Sequence, residues 1–137
     1  GDDRMTGGTG ADVFAWTLAD RGAPGTPSVD RITDFDLSST GDRLNLRDLL
    51  VGEHNTGGTG NLASYLDFDT ASTPGSTVIR ISSTGGFSGG SYAAGAEDQR
   101  IVLEGLDVRS ALGLGAGASD DQILQELLNR NKIDIGP

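Results

Sequence analysis

The first sixteen residues carry one complete and one partial copy of a nine-residue pattern, and few folds are compatible with it. The complete copy is Gly7-Gly8-Thr9-Gly10-Ala11-Asp12-Val13-Phe14-Ala15, of the form G-G-x-G-x-D-x-U-x with U a large apolar residue. Nine residues earlier, Gly1, Asp3 and Met5 occupy the places of Gly10, Asp12 and Phe14. Glycines in this arrangement permit left-handed backbone angles and a tight loop. Such a loop turns carbonyl oxygens inward, and the Asp adds a carboxylate. A hard oxygen set of this kind suits Ca²⁺. Residues 13–15 then form a short strand with Phe14 pointing into a stack. Each coil buries its apolar residue only against its neighbours, so about three or more are needed for stability. The chain is therefore expected to be the last part of a longer array, with upstream repeats in cis.

The expected Ca²⁺ ligands are Asp3, Gly8, Thr9, Gly10 and Asp12, joined by Asp30 and Asp34. Coils on one side of such a roll are expected to lie two nonapeptides apart. Eighteen residues beyond Asp12 lies Asp30, and Asp30-x-Ile32 repeats Asp12-x-Phe14. That spacing predicts a cation held between Asp12 and Asp30. Asp34 and Asp20 are secondary candidates, because each also reads as a loop acid.

Charge supports a cation-binding reading and excludes others. The chain has a formal charge of −10, and sixteen of its twenty acids are Asp. Asp is the carboxylate of short turns and cation loops, and many of these residues are simply turn formers. Nine of ten bases are Arg, without a basic stripe, so nucleic acid is not an expected partner. No apolar run approaches the ~20 residues of a membrane span. With no cysteine there are no disulfides and no thiolate metal sites. Catalysis has little to stand on: the one histidine, His54, lies in a polar loop, and no nucleophile motif is present. The chain is read as not an enzyme. Trp16 directly follows the repeat strand and is expected to plug the core; Trp16, Tyr65 and Tyr92 could otherwise line a sugar site.

The remaining segments predict a mainly β fold. It begins as the end of a parallel calcium β-roll, runs into a small antiparallel β-structure, and carries a C-terminal helix. Strands are expected over Asp30–Asp36, Leu44–Leu46, Leu66–Phe68, Thr77–Ser82, Gln99–Gly105 and Lys132–Ile135, with a helical turn over Arg47–Val51. Asn61–Leu66 reads as a short helix, and 84–96 as a long loop. The second Thr-Gly-Gly-Thr-Gly, at 56–60, lacks an Asp at the required offset and reads as a loop. Ser119 before Asp120-Asp121-Gln122 is a capping box, and Ile123, Leu124, Leu127 and Leu128 recur at helical spacing. A single domain is expected: 1–46 as the end of the roll, and 47–137 as the region that caps it.

Taken together, GGTGADVFAW, LADRGAPGTPSVD, RITDFDLSSTGDRLNLRDLLVGE, NLASYLDF, STVIRISSTGGF, DQRIVLEGLDV and DDQILQELL resemble the C-terminal secretion-target region of large RTX adhesins exported by type I systems. The stretch from Asp30 to Leu46 is also similar to the end of the β-roll in secreted RTX proteases and lipases. Asn45 departs from that pattern, where Asp is common. The resemblance implies an extracellular or cell-surface monomer with a role in adhesion or biofilm. It also implies a secretion signal within 47–137, the type I secretion machinery as a partner during export, and folding driven by Ca²⁺ outside the cell. Two other readings stay open: a calcium-dependent ligand- or carbohydrate-binding adhesin domain, and the tail of an RTX hydrolase.

Overall fold

The computed structural model describes residues 4–8, 10–17, 21–37, 41–50, 64–70, 72–73, 75–87, 92–115, 117–130 and 132–134. Among these the chain is mainly β. It has a mixed sheet, a parallel sheet and two short helices. The strands are β1 (Arg4–Met5), β2 (Val13–Thr17), β3 (Ser28–Ile32), β4 (Arg43–Asp48), β5 (Leu66–Asp69), β6 (Thr77–Ile81), β7 (Gln99–Leu103) and β8 (Ile133–Asp134). The helices are α1 (Val108–Ala111) and α2 (Asp120–Asn129).

The first four strands alternate between two sheets. β1 pairs with β3 in parallel, Arg4 beside Arg31 and Met5 beside Ile32. β2 pairs with β4 in parallel, Val13 beside Arg43 and Phe14 beside Leu44. One complete coil therefore advances 27 residues on one side and 30 on the other, not eighteen. The segment between β2 and β3 is longer than a repeat loop. Part of it is fastened to the later chain: Gly22 donates its N–H to the Asp98 carbonyl, and Gly25 to that of Glu97.

The later strands extend these same sheets instead of forming a separate antiparallel unit. The five-stranded sheet runs β1-β3-β7-β6-β5, and the three-stranded sheet runs β2-β4-β8. β7 lies parallel to β3 in unbroken register from Ser28–Gln99 to Ile32–Leu103. β6 is antiparallel to both β7 and β5. Segments on either side of residue 46 thus share both sheets.

Alternation along the strands explains the core. In β2 Phe14 and Trp16 point inward while Val13, Ala15 and Thr17 are exposed, the period-two pattern of a half-buried strand. Leu44, Leu46 and Ile133 complete the inner face of the smaller sheet, and Ile32, Ile79, Ile81, Ile101 and Leu103 line the larger one. All belong to one hydrophobic cluster, with Ile123, Leu124 and Leu127 of α2, which packs against β5 and β8. Ser119 caps α2 through a reciprocal capping box with Gln122. Asp107 caps α1, accepting N–H bonds from Arg109 and Ser110.

Several strand boundaries differ from expectation, most of all those of β3 and β4. β3 stops at Ile32, because beyond it Asp34 turns its carboxylate to backbone donors of the previous coil. β4 continues to Asp48 before the turn in which Leu49 and Leu50 both donate to the Leu46 carbonyl. The expected loop at 56–60 and residues 61–63 of the expected helix over 61–66 lie outside the described residues, and Leu66 opens β5 instead of ending a helix.

Candidate cation site

The turn after β1 sets up the site. Gly8 and Gly10 both adopt the left-handed conformation, with φ of 78° and 88°. There an L side chain would be strained. Gly7 serves a different need: a Cβ on it would come within 2.5 Å of Asp12 Oδ2. The pattern's glycines thus bend the loop and let its backbone approach the carboxylate.

Three acids from two successive coils meet at this end of the strands. Asp34 accepts from the N–H groups of Gly7 and Gly8, at 2.8 and 2.7 Å. Asp42, only 1% exposed, accepts from Asp12 N–H through Oδ1 and from Asp36 N–H through Oδ2, both at 2.9 Å. Asp12 stands between them. Its Oδ2 is buried without a hydrogen-bond partner. Burial first, then the charge of Asp42 and a hydrogen bond shared with its side chain, then the charge of Asp34, raise the Asp12 carboxyl above its usual range.

A buried oxygen that attracts no donor and sits beside two other carboxylates is costly as a bare anion. A proton or a hard cation relieves it. The acids gathered here fit Ca²⁺ in type, being carboxylates with neither sulfur nor imidazole beside them. They do not form a finished cage: among the described residues no three or more His, Cys, Asp or Glu side chains are grouped to hold a metal. Asp3 and Thr9 of the expected ligand set lie outside the described residues.

Asp30 is not part of this group, and its expected pairing with Asp12 is corrected. It lies on β3 in the other sheet, 3% exposed and facing inward. Its Oδ2 accepts 2.8 Å bonds from Trp16 Nε1 and Gln99 Nε2. These bonds tie β2 to β3 and β7 across the core, with Asp30 Oδ2 engaged by two N–H donors. The residue that replaces Asp30 beside Asp12 is Asp42. Gly41-Asp42-Arg43-Leu44 repeats the Gly-x-Asp-x-apolar ending of the nonapeptide in shortened form, so a signal was present in the sequence.

A second acidic contact lies at the start of α2. Asp120 faces Asp67 of β5, with Arg109 Nη2 4.0 Å away. Burial, then a shared hydrogen bond and the charge of Asp67, push the Asp120 carboxyl up to about 6, against the opposing pull of the Phe68 N–H and Arg109. Asp67 also meets Arg80 at 3.3 Å.

No helix among the described residues is long and apolar enough to cross a membrane. No family model, curated protein or solved structure matches this chain.

Proposed function

We propose that this chain is a calcium-stabilised module in which residues 1–46 form the last coils of an RTX-type β-roll and residues 47–137 close it. In this reading it serves as the export and folding cap of a type I-secreted adhesin, outside the cell or at its surface, and it is not an enzyme. The observation that carries the reading is the buried, unpartnered Asp12 Oδ2, set against Asp42 and Asp34 from the following coil.

The compartment would then decide the state of the chain. Where Ca²⁺ is scarce, the like charges of Asp12, Asp34 and Asp42 oppose closure of the coils. Where it is abundant, binding to the folded state alone adds directly to folding free energy. At 100 times Kd one such site contributes about 2.7 kcal/mol, a large share of a small domain's stability. The strands that follow support the capping role. β7 covers the free edge of β3 and β8 that of β4, so both sheets are continued past the last coil by segments that lack the repeat.

Thermal melts in EGTA, Mg²⁺ and millimolar Ca²⁺ test the cation. The melting temperature should rise in Ca²⁺ and respond weakly to Mg²⁺, which demands a tighter octahedral shell. An unchanged melting temperature in Ca²⁺ would overturn the reading. Fusion of residues 1–137 to a passenger, with secretion assayed through a type I exporter, tests the export role separately.

A further inference from the structure

The outer face of the five-stranded sheet holds a cleft whose charge runs against that of the rest of the chain. It has a volume of about 580 Å³ and is lined by Arg4, Arg31, Thr73, Ser76, Val102, Glu104 and Gly105. Arg4 and Arg31 are register partners on parallel strands, so both side chains leave the same face about 4.8 Å apart. Arg4 bonds Glu104 Oε1 at 3.1 Å. Among the described residues no carboxylate pairs with Arg31. The described lining therefore carries two cations and one anion, in a protein of net charge −10.

The rest of the lining is equally specific. Val102, 5% exposed, is the register partner of Arg31 on β7 and supplies an apolar surface beside it. Ser76, 9% exposed, accepts the Gly105 N–H at 3.0 Å, and its own hydroxyl proton remains free to donate. Glu104 binds Arg4 through Oε1 alone among the described residues, and it lines the cleft together with Thr73. The volume falls in the range of small-molecule sites and far exceeds what one inorganic anion fills.

We infer that this cleft binds an acidic saccharide, with the sugar's carboxylate on Arg31 and Arg4 and its hydroxyls on Glu104, Ser76 and Thr73. Arginine suits a carboxylate because its planar fork can donate two parallel bonds. Glu104 complements the arginines by accepting from sugar hydroxyls while holding Arg4 in place. The inference is independent of the cation site, which lies at the turns that follow β1 and β3, beyond the strand pair that bears the arginines.

The test is a ¹⁵N NMR titration of the chain in millimolar Ca²⁺. The probes are a glucuronate-containing disaccharide, its neutral glucose analogue and sodium sulfate. The acidic disaccharide should give saturable shifts at Arg31 Nε and Ser76 N–H, at least about tenfold tighter than the neutral sugar. Arg31→Gln should weaken it by about tenfold or more and leave the melting temperature unchanged, since Arg31 is exposed and pairs with no carboxylate among the described residues. Glu104→Gln should weaken the disaccharide but not sulfate, which gains from loss of the neighbouring negative charge. Equal shifts from sulfate and disaccharide would reduce the site to a general anion patch and overturn the inference. So would binding indifferent to Arg31→Gln, or no binding by the folded chain.

Discussion

Asp12 donates its backbone N–H to Oδ1 of Asp42, 2.9 Å away and thirty residues later, while its own Oδ2 meets no donor. One carboxylate in this pair is satisfied by the other residue's backbone, and the other is left as a buried charge. Asp12→Asn should therefore change sign with conditions. In EGTA it removes like-charge repulsion and should raise the melting temperature. In millimolar Ca²⁺ it removes a ligand and should lower the melting temperature and weaken Ca²⁺ binding by calorimetry. Asp107→Asn is the control, because Asn caps α1 about as well as Asp. A variant that behaves alike in EGTA and Ca²⁺ would mean that the acids act only as a diffuse negative surface.

Acidity should reproduce part of the cation's effect. The Asp12 carboxyl is raised in the folded, cation-free state, by burial and then by Asp42 and Asp34. A raised acid contributes stability that is present below its unfolded value and fades as pH rises through its folded one. Melting temperatures in EGTA should thus climb as pH drops toward the carboxylate range, and Ca²⁺ binding should release protons on the same slope.

The Asp120–Asp67 contact makes a second, separable pH prediction. Asp120 goes from an ordinary 3.8 to about 6 on folding. Its contribution is complete below 3.8 and is lost as pH rises through about 6. Asp120→Asn should flatten the melting-temperature profile between roughly pH 4 and 6 while leaving Ca²⁺ affinity untouched. A profile as steep as wild type would place the titration elsewhere.

Asp30→Ala should destabilise without touching the cation. It strands Trp16 Nε1 in the core, while Gln99 Nε2 keeps the Ser28 and Arg100 carbonyls as acceptors. A buried unpaired donor costs about 1–3 kcal/mol, so urea melts in saturating Ca²⁺ should show a loss of that order. Unchanged calorimetric affinity in the folded variant would separate this role from that of a ligand. A large drop in affinity would return Asp30 to the coordination sphere.

Removing the α2 anchor should cost stability by packing alone. Leu124 is 2% exposed against the strand core, and Leu→Ala at such sites typically loses about 2–5 kcal/mol. The double change of Leu124 and Leu128 to Asp should abolish folding in Ca²⁺. Secretion of a fused passenger at wild-type level from that unfolded variant would place the export signal outside this helix face.

Local chemistry was legible where one segment held all the information. The glycines at 8 and 10, the antiparallel partnership of Leu66–Asp69 with Thr77–Ile81 and the Ser119 cap depend on contacts within about fifteen residues. The spacing between coils did not follow from the repeat, because the 17–29 segment departs from it and lengthens the step. An acid eighteen residues downstream then looked like the next ligand, although that offset places Asp30 in the opposite sheet. Nor did the pattern of β7 announce its partner. Ile101 and Leu103 show which face is buried, but nothing local says that the strand inserts between β3 and β6.

Trp16 is the only tryptophan in the chain, and its indole N–H is bonded to a carboxylate on the facing sheet. Its fluorescence is consequently a built-in gauge of whether the two sheets have met. Closure should move the emission to shorter wavelength as the ring leaves water, and Asp30→Asn should perturb the folded signal alone. No dye or label is needed to time that step after mixing with Ca²⁺. A stopped-flow trace at this one ring would show whether the cation binds before the halves join or only once they have done so.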